Sequence, residues 1–554
     1  MFKKSNKHSQ IDLFGGVPSI LDGKSLNQYT DDHFWHNQFR KQVTSHIDES
    51  IFKVLFNEKI GAPNAPVSLL IGMMILKEAF GWSDSQLFEQ CRFNLLVRSA
   101  LGLFNLNDDI PTESTYYLFR KRIYDHRYQN SDDLLQKTFD LVTGKQVKEF
   151  NVDGRSIRMD SKLIGSNIAL FSRYEIIHHT LTIFYKSLNN KELLLIGRDE
   201  RQLLQDLSIE EPLKTIYRST KEEVKSRMQS LGILLYKVLC AFSGRSGEQY
   251  LLLQRVFKEQ YSITEEKEVL LRPNEEIASD STQSPHDPDS AYRHKADQKV
   301  KGYSVNVTET VSEGPLDLIT SVLVDKANVS DTKFVEPAIQ ATANLTGTPV
   351  EKVYADGAYQ SPDNDQFCKK IDMVYTGIKG FLPRHDLEMT QDGLIVTDMQ
   401  TGECIKATLA KKLKNAKEDV WFIDSPEGRV YFRQQAIRTS LLRRVMKGRS
   451  SEELKKRNNV EATVFQLSYP LRNNKTKYRS LIKHQVWAIC RCMWINLVRI
   501  KNFLIQTCQR TTCGLKNTAS SWPYDLNYNP MAFNSRKNWL HLSYLAITLI
   551  FIKF

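Results

Sequence analysis

The chain has 554 residues, 41% hydrophobic and 10% aromatic, which excludes global disorder and leaves room for about two to four domains. Lysine and arginine number 76 against 64 acidic residues, a formal net charge of +12, so the favoured partner is a polyanion: DNA, RNA or an anionic membrane face. The eight cysteines form no CxxC pair and no Cys/His spacing typical of zinc, which reads as free thiols in a reducing compartment.

The basic start, Met1 to His8, is followed by no long apolar core and does not read as a signal peptide. Phe34, Trp35 and Phe39 stand at helical spacing. Val67–Phe80 reads as a buried helix bounded by Gly81, and Ser83 as the N-cap of the next, with a short helix over Leu95–Leu101. A helix capped by Thr112 or Ser114 is predicted to end on Arg120, Lys121 and Arg122. Short helices closing on a basic one suit a DNA-reading unit, while a basic helix end that complements the macrodipole explains the same pattern. Residues 1–140 are therefore expected to form a helical N-terminal DNA-binding domain.

From 148 to 165 the period switches to two, a strand; 172–262 returns to charged helix, and 273–298 reads as a loop. Strand patterns resume at Tyr303–Val311 and Leu316–Val324. A helix near 330–344, a strand ending at Asp356 and a helix from Ser361 follow. Strand, strand, strand, helix, strand, helix and a late acid-bearing helix is the ribonuclease-H-like order. The expected fold class is thus α+β or α/β, a mixed-sheet catalytic domain over 148–505 behind the helical N-terminal domain. It carries a helical insertion at about 172–298 and a small β-rich one at about 390–433. Residues 506–554 are a tail of unassigned role; its apolar end, Trp539–Phe554, is shorter than the ~20 residues of a membrane-spanning helix and reads as a docked segment.

Three carboxylates stand out: Asp160 and Asp356, each closing an apolar-alternating run, and Glu461 on a helix. Hard oxygen donors of this kind suit two divalent ions about 3.5–4 Å apart, which promote in-line displacement at phosphorus. Each also has a plain reading. A strand-end aspartate is commonly a turn former, as Asp356-Gly357 suggests, and Glu461, four residues after Arg457, could simply form a helix-face ion pair. Asp153, Asp325, Glu452 and Glu453 are rival acids. The adjacent His178 and His179 point apart on a helix and receive no role.

Arg158-Met-Asp-Ser-Lys-Leu-Ile-Gly-Ser-Asn-Ile168 resembles the first-aspartate block of bacterial insertion-sequence DDE transposases. Val353-Tyr-Ala-Asp-Gly-Ala-Tyr359 is similar to their second block, and Arg457-Asn-Asn-Val-Glu461 to their arginine-x-x-x-glutamate. The stretch from Gly61 to Arg120, and His286-Asp-Pro-Asp-Ser290 with Lys301-Gly-Tyr303, also recur in that group. Where related enzymes carry a tyrosine three residues before the arginine and a lysine seven after the glutamate, this chain has Leu454 and Ser468, with Lys475 and Lys477 farther on. The resemblance implies a DNA transposase that cleaves at terminal inverted repeats and transfers strands into target DNA. It implies Asp160, Asp356 and Glu461 as ligands of two Mg2+ ions (with Mn2+ a possible substitute) and Arg457 as a catalytic partner. It also implies a homodimer on double-stranded DNA in the bacterial cytoplasm, at the nucleoid, without membrane association. Arg120, Lys121, Arg122, Lys475, Lys477, Arg479 and Lys483 are the candidate DNA contacts. A ribonuclease-H-like nuclease without strand transfer, or an inactive DNA-binding derivative, would share these features.

Overall fold

The structure is a computed structural model that describes residues 1–4, 16–58, 60–169, 171–295, 298–378, 383–410, 419–425 and 428–514, with side chains to 509. Its centre is a mixed sheet. The first strand, Ser156–Gly165, pairs antiparallel with the second, Gln298–Thr310, which pairs antiparallel with the third, Ile319–Lys326. On its other side the first strand runs parallel to the fourth, Lys352–Ala355, and the fourth parallel to the fifth, Asp372–Tyr375. The spatial order is therefore third, second, first, fourth, fifth, the ribonuclease-H-like arrangement expected from the element order.

The N-terminal helices form where the local signals place them. Val67–Phe80 is apolar nearly all round and buried accordingly, and it stops at Gly81, whose φ of 68° is left-handed. Ser83 and Gln86 complete a capping box for the helix Asp84–Phe93. Thr112 caps Glu113–Asn130, but that helix does not end at Arg122. It continues for two more turns, so the three basic residues lie mid-helix, away from the negative end of the macrodipole.

The N-terminal helices do not pack on themselves alone. Phe39, Leu70, Phe88, Tyr116 and Phe139 share one core with Val305, Val307 and Ile319 of the sheet and with Trp487, Met493 and Leu497 of the long helix Leu481–Gly514. Residues 1–504 are one compact unit, and no boundary near 140 divides two cores. The helical insertion does have its own core, built around Ile177, Leu181, Phe184, Leu235, Leu253 and Val256.

Three boundaries also differ. Helix Leu134–Glu149 occupies the start of the expected first strand because Asp133 caps it and its buried face keeps helical spacing. The polar stretch 273–298 contains a strand, Ala291–Lys295, that hairpins onto the second strand through backbone bonds and so needs little apolar content. The β-rich insertion begins earlier, at His385, and folds as two three-stranded sheets ending at Arg433. The expected docked segment 539–554 lies outside the described residues, among which no helix is long and apolar enough to cross a membrane.

Candidate active site

The parallel register between the first and fourth strands decides the geometry. Arg158 is the partner of Tyr354. Asp160 stands two residues beyond Arg158 on the first strand, and Asp356 directly follows Ala355, the last residue of the fourth, so both lie just past the paired stretch. Alternation along the strand keeps Asp160 on the face that Arg158 occupies, and Asp356 is near enough to act on the Asp160 carboxyl. Asp356 closes its strand and turns into a short 3-10 helix, its Oδ1 accepting from the Ala358 N–H at 2.8 Å. Tyr359, at the end of that turn, packs its hydroxyl between Ser161 Oγ at 2.7 Å and Asn306 Nδ2 at 2.8 Å, which ties the Asp356 turn to the first two strands. Gly357 is required for close approach rather than for an unusual turn: a Cβ there would meet the Gly377 carbonyl oxygen at 2.3 Å.

Glu461 arrives on the helix Asn458–Ser468, whose Val460, Thr463, Val464 and Leu467 face inward. Arg457, its side chain 10% exposed, joins the acids. It lies 3.2 Å from Asp160 Oδ2 and 2.7 Å from Glu461 Oε1. The Asp160 side chain is 18% exposed and that of Glu461 59%, so the strand acid is inside and the helix acid on the rim. Burial pushes the Asp160 carboxyl above its ordinary range. Arg457 and the Ser161 N–H pull it back, neighbouring Asp356 adds to the rise, and the net direction is upward. Asp160 is thus an incompletely compensated anion.

Beneath these acids lies a buried ion network that the sequence reading missed. Glu309, directly opposite Arg158 in the antiparallel register, is fully buried. It accepts from Arg158 Nε on one oxygen, and from Arg499 Nη2 at 2.7 Å and Thr463 Oγ1 at 2.6 Å on the other. Arg158 also donates to Asp317 at 2.6 Å and to the Lys456 carbonyl at 3.3 Å, just before Arg457. The network thereby ties the Glu461 helix to the first strand and to the long C-terminal helix. A signal existed in the sequence: Glu309 has the same strand parity as Tyr303, Val305 and Val307, a charge on an apolar face.

Two stretches match known families: residues 28–122 match the family described as a transposase domain (DUF772), and residues 272–497 match the transposase DDE domain. The chain carries a transposase DDE domain. Asp356, Arg457 and Glu461 fall within the DDE match, while Asp160 lies between the two matched regions. No curated protein matches. Among solved structures, one described as a cryo-EM structure of the piggyBac transposase synaptic complex with hairpin DNA is similar at 7% identity, covering 86% of this chain and 75% of that one, with a TM-score of 0.27. At that score the likeness decides nothing. The DDE domain marks the transposase as a DNA-processing enzyme.

The donors fit a divalent ion chemically, being hard carboxylate oxygens with one under-neutralised anion at the centre. Among the described residues, however, no three acids, imidazoles or thiols gather closely enough to enclose an ion, because Arg457 stands between Asp160 and Glu461. Two of the rivals are engaged elsewhere: Asp153 with Arg155, and Glu453 with Lys352 and Arg449.

The candidate DNA contacts divide. Arg120 is turned inward, bonded to Asp84 and Tyr124 and stacked on Tyr116, so it braces the helices of the transposase rather than facing outward. Lys121 is exposed, and Arg122 and Lys483 lie over the rings of Phe56 and Tyr124. Lys475, Lys477 and Arg479 are exposed on one loop, each also bonding a backbone carbonyl: those of Ile168, Gly81 and Asn167. Arg491, on the long helix Leu481–Gly514, is buried against the carbonyls of Leu467 and Ala79.

Proposed function

We propose that this transposase cuts DNA at the terminal inverted repeats of its element and joins the freed 3′-hydroxyls to target DNA. The carrying observation is the placement of Asp160 and Asp356 just past the paired stretch of two adjacent parallel strands, with Arg457 bridging Asp160 and Glu461. In the first step a water oxygen bonds to phosphorus as the bond to the 3′-oxygen breaks, and that oxygen leaves protonated as a hydroxyl. In the second, this hydroxyl attacks a target phosphate, again forming one P–O bond and breaking one, so no outside energy source is needed.

Asp160, Asp356 and Glu461 would hold Mg2+ or Mn2+, which when bound supplies activation of the attacking oxygen and charge stabilisation of the leaving one. The protein's own residues position that chemistry. The strands hold two carboxylates rigidly, and the Glu309 network fixes the helix that bears the third. Arg457 orients Glu461 or, released from it, contacts a phosphate through two parallel bonds. Lys121, Arg122, Lys475, Lys477, Arg479 and Lys483 contribute phosphate contacts, while Arg120 supports the first group from within. Two element ends need two active sites, so the working form is a homodimer on DNA in the bacterial cytoplasm.

The test uses the full chain, Mg2+, a fragment carrying both flanks of its gene, and a target plasmid. The reading expects new 3′-hydroxyl ends at inverted repeats in those flanks and joined products in the plasmid, both absent with D356N. Cleavage without joining would make the protein a nuclease only. No cleavage in either divalent ion would make it an inactive derivative.

A further inference from the structure

The exposed ribbon of the Glu461 helix carries more than the acid. Phe465 and Tyr469 follow at the next two four-residue steps and share its face, 49% and 56% exposed, with ring centroids 5.9 Å apart. Val460, Thr463, Val464 and Leu467 form the buried face of this helix, and the two rings lie on the other side. At 1.5 Å of rise per residue, Phe465 lies only about 6 Å along the axis from Glu461.

The chain that follows is cationic. No aspartate or glutamate occurs between Ala462 and Tyr524, while Arg472, Lys475, Lys477, Arg479 and Lys483 all fall soon after Tyr469. The loop bearing the first four is pinned to the end of the first strand. The Gly165 N–H donates to Asn474 O at 2.8 Å, the Thr476 N–H to Gly165 O at 3.0 Å, and Asn473 and Asn474 adopt positive φ of 55° and 52°. The cations therefore stand on fixed backbone beyond the two rings.

We propose that Phe465 and Tyr469 form a stacking platform for an unpaired nucleobase next to the scissile phosphate, with the Arg472–Arg479 loop holding the backbone of the same strand. This rests on the transposase reading, since it takes Glu461 as the mark of the scissile phosphate. The pairing of exposed rings with an acid-free run of cations selects the ligand class. Phosphates meet the cations, and a base lifted from its stack offers a π-face to the rings. A base inside a duplex has both faces covered, so the platform reads only a nucleotide that is frayed, extruded or single-stranded. A second copy of the chain is the competing occupant, but acid-free positive charge on both copies would oppose that contact.

The experiment compares a blunt duplex with one ending in a few unpaired nucleotides, one of them 2-aminopurine, both binding the full chain in Ca2+ so that no strand is cut. The wild-type chain should favour the overhang by about tenfold, a typical effect for base–aromatic stacking, and should quench the 2-aminopurine fluorescence. The double variant F465A/Y469A should lose both effects and still bind the blunt duplex as wild type does. F465L/Y469L, which keeps bulk without an aromatic face, should behave the same way, and Y469W should retain quenching. Unchanged melting temperatures establish that the variants are folded.

Overhang preference and quenching that survive in F465A/Y469A would overturn the platform while leaving the transposase reading intact. So would a chain dimer that the double variant dissociates with overhang binding unaltered. If the wild-type chain bound neither DNA, the transposase reading itself would fall and the platform with it.

Discussion

Glu309 and Asp160 lie on neighbouring strands of one sheet and share a face, yet their surroundings drive their carboxyls in opposite directions. Burial alone would raise Glu309, but Arg499, Arg158 and Thr463 more than offset it and hold the carboxyl below its ordinary range. Asp160 has one arginine, which it shares with Glu461, and Asp356 beside it, and its carboxyl stays above the ordinary range. A buried acid with both oxygens hydrogen-bonded and two arginines beside it locks elements together. One left under-compensated favours a further cation, and such perturbed groups mark functional sites.

The sharpest way to break this contrast is to neutralise each acid in turn. Asp160→Asn, Asp356→Asn and Glu461→Gln should each abolish strand cleavage, a loss of several kcal/mol of transition-state stabilisation, while DNA binding stays measurable in gel shift. Near-wild-type cleavage by any one of them would remove that residue from the site. Glu309→Ala should act on the fold instead. It leaves Arg158 and Arg499 without their shared partner and should cost about 3–5 kcal/mol of stability, read by denaturant unfolding. An alanine variant as stable as wild type would show that the network does not anchor the helix.

Arg457 stands between the two roles. Arg457→Ala should cut turnover by tens-fold or more, at about 1.4 kcal/mol per tenfold. Lysine should rescue poorly because it lacks the planar fork. A folded alanine variant with full cleavage would reduce the arginine to an ion-pair partner. The smallest effect concerns acid. Because the folded-state pKa of Glu309 is depressed, its contribution is present above its unfolded value and is lost as pH falls through the folded one. Wild type should therefore lose stability below about pH 4.5, the unfolded glutamate range. Glu309→Gln should flatten that decline in melting temperature, and identical acid limbs would count against the assignment.

Much of the sheet could be read from the chain because its strands alternate visibly, and the N-terminal helices because they carry their own caps, Ser83 and Thr112 among them. The strand ending at Asp356 and the Arg457–Glu461 spacing were equally visible, and the resemblance linked them. Partnerships between distant segments were not visible. Nothing local to Arg120 distinguishes a cation facing DNA from one turned onto Asp84 and Tyr116, since that depends on which helix packs beside it. The strand Ala291–Lys295 was hidden because its pairing is made by backbone groups. The division at 140 looked natural because composition changes there, whereas a shared core leaves no mark on either segment alone.

That shared core has a bearing on how the molecule is made. Trp35 packs edge-on against Trp494 with centroids 5.8 Å apart, and Phe39 approaches the same ring at 6.3 Å. Helices emerging first from the ribosome thus cannot bury their apolar faces natively until some of the last described residues have been synthesised. Until then the nascent chain carries uncovered hydrophobic surface, and contacts so distant in sequence close slowly. Productive expression of this protein should consequently depend more on chaperone supply and growth temperature than its helix-rich beginning would suggest.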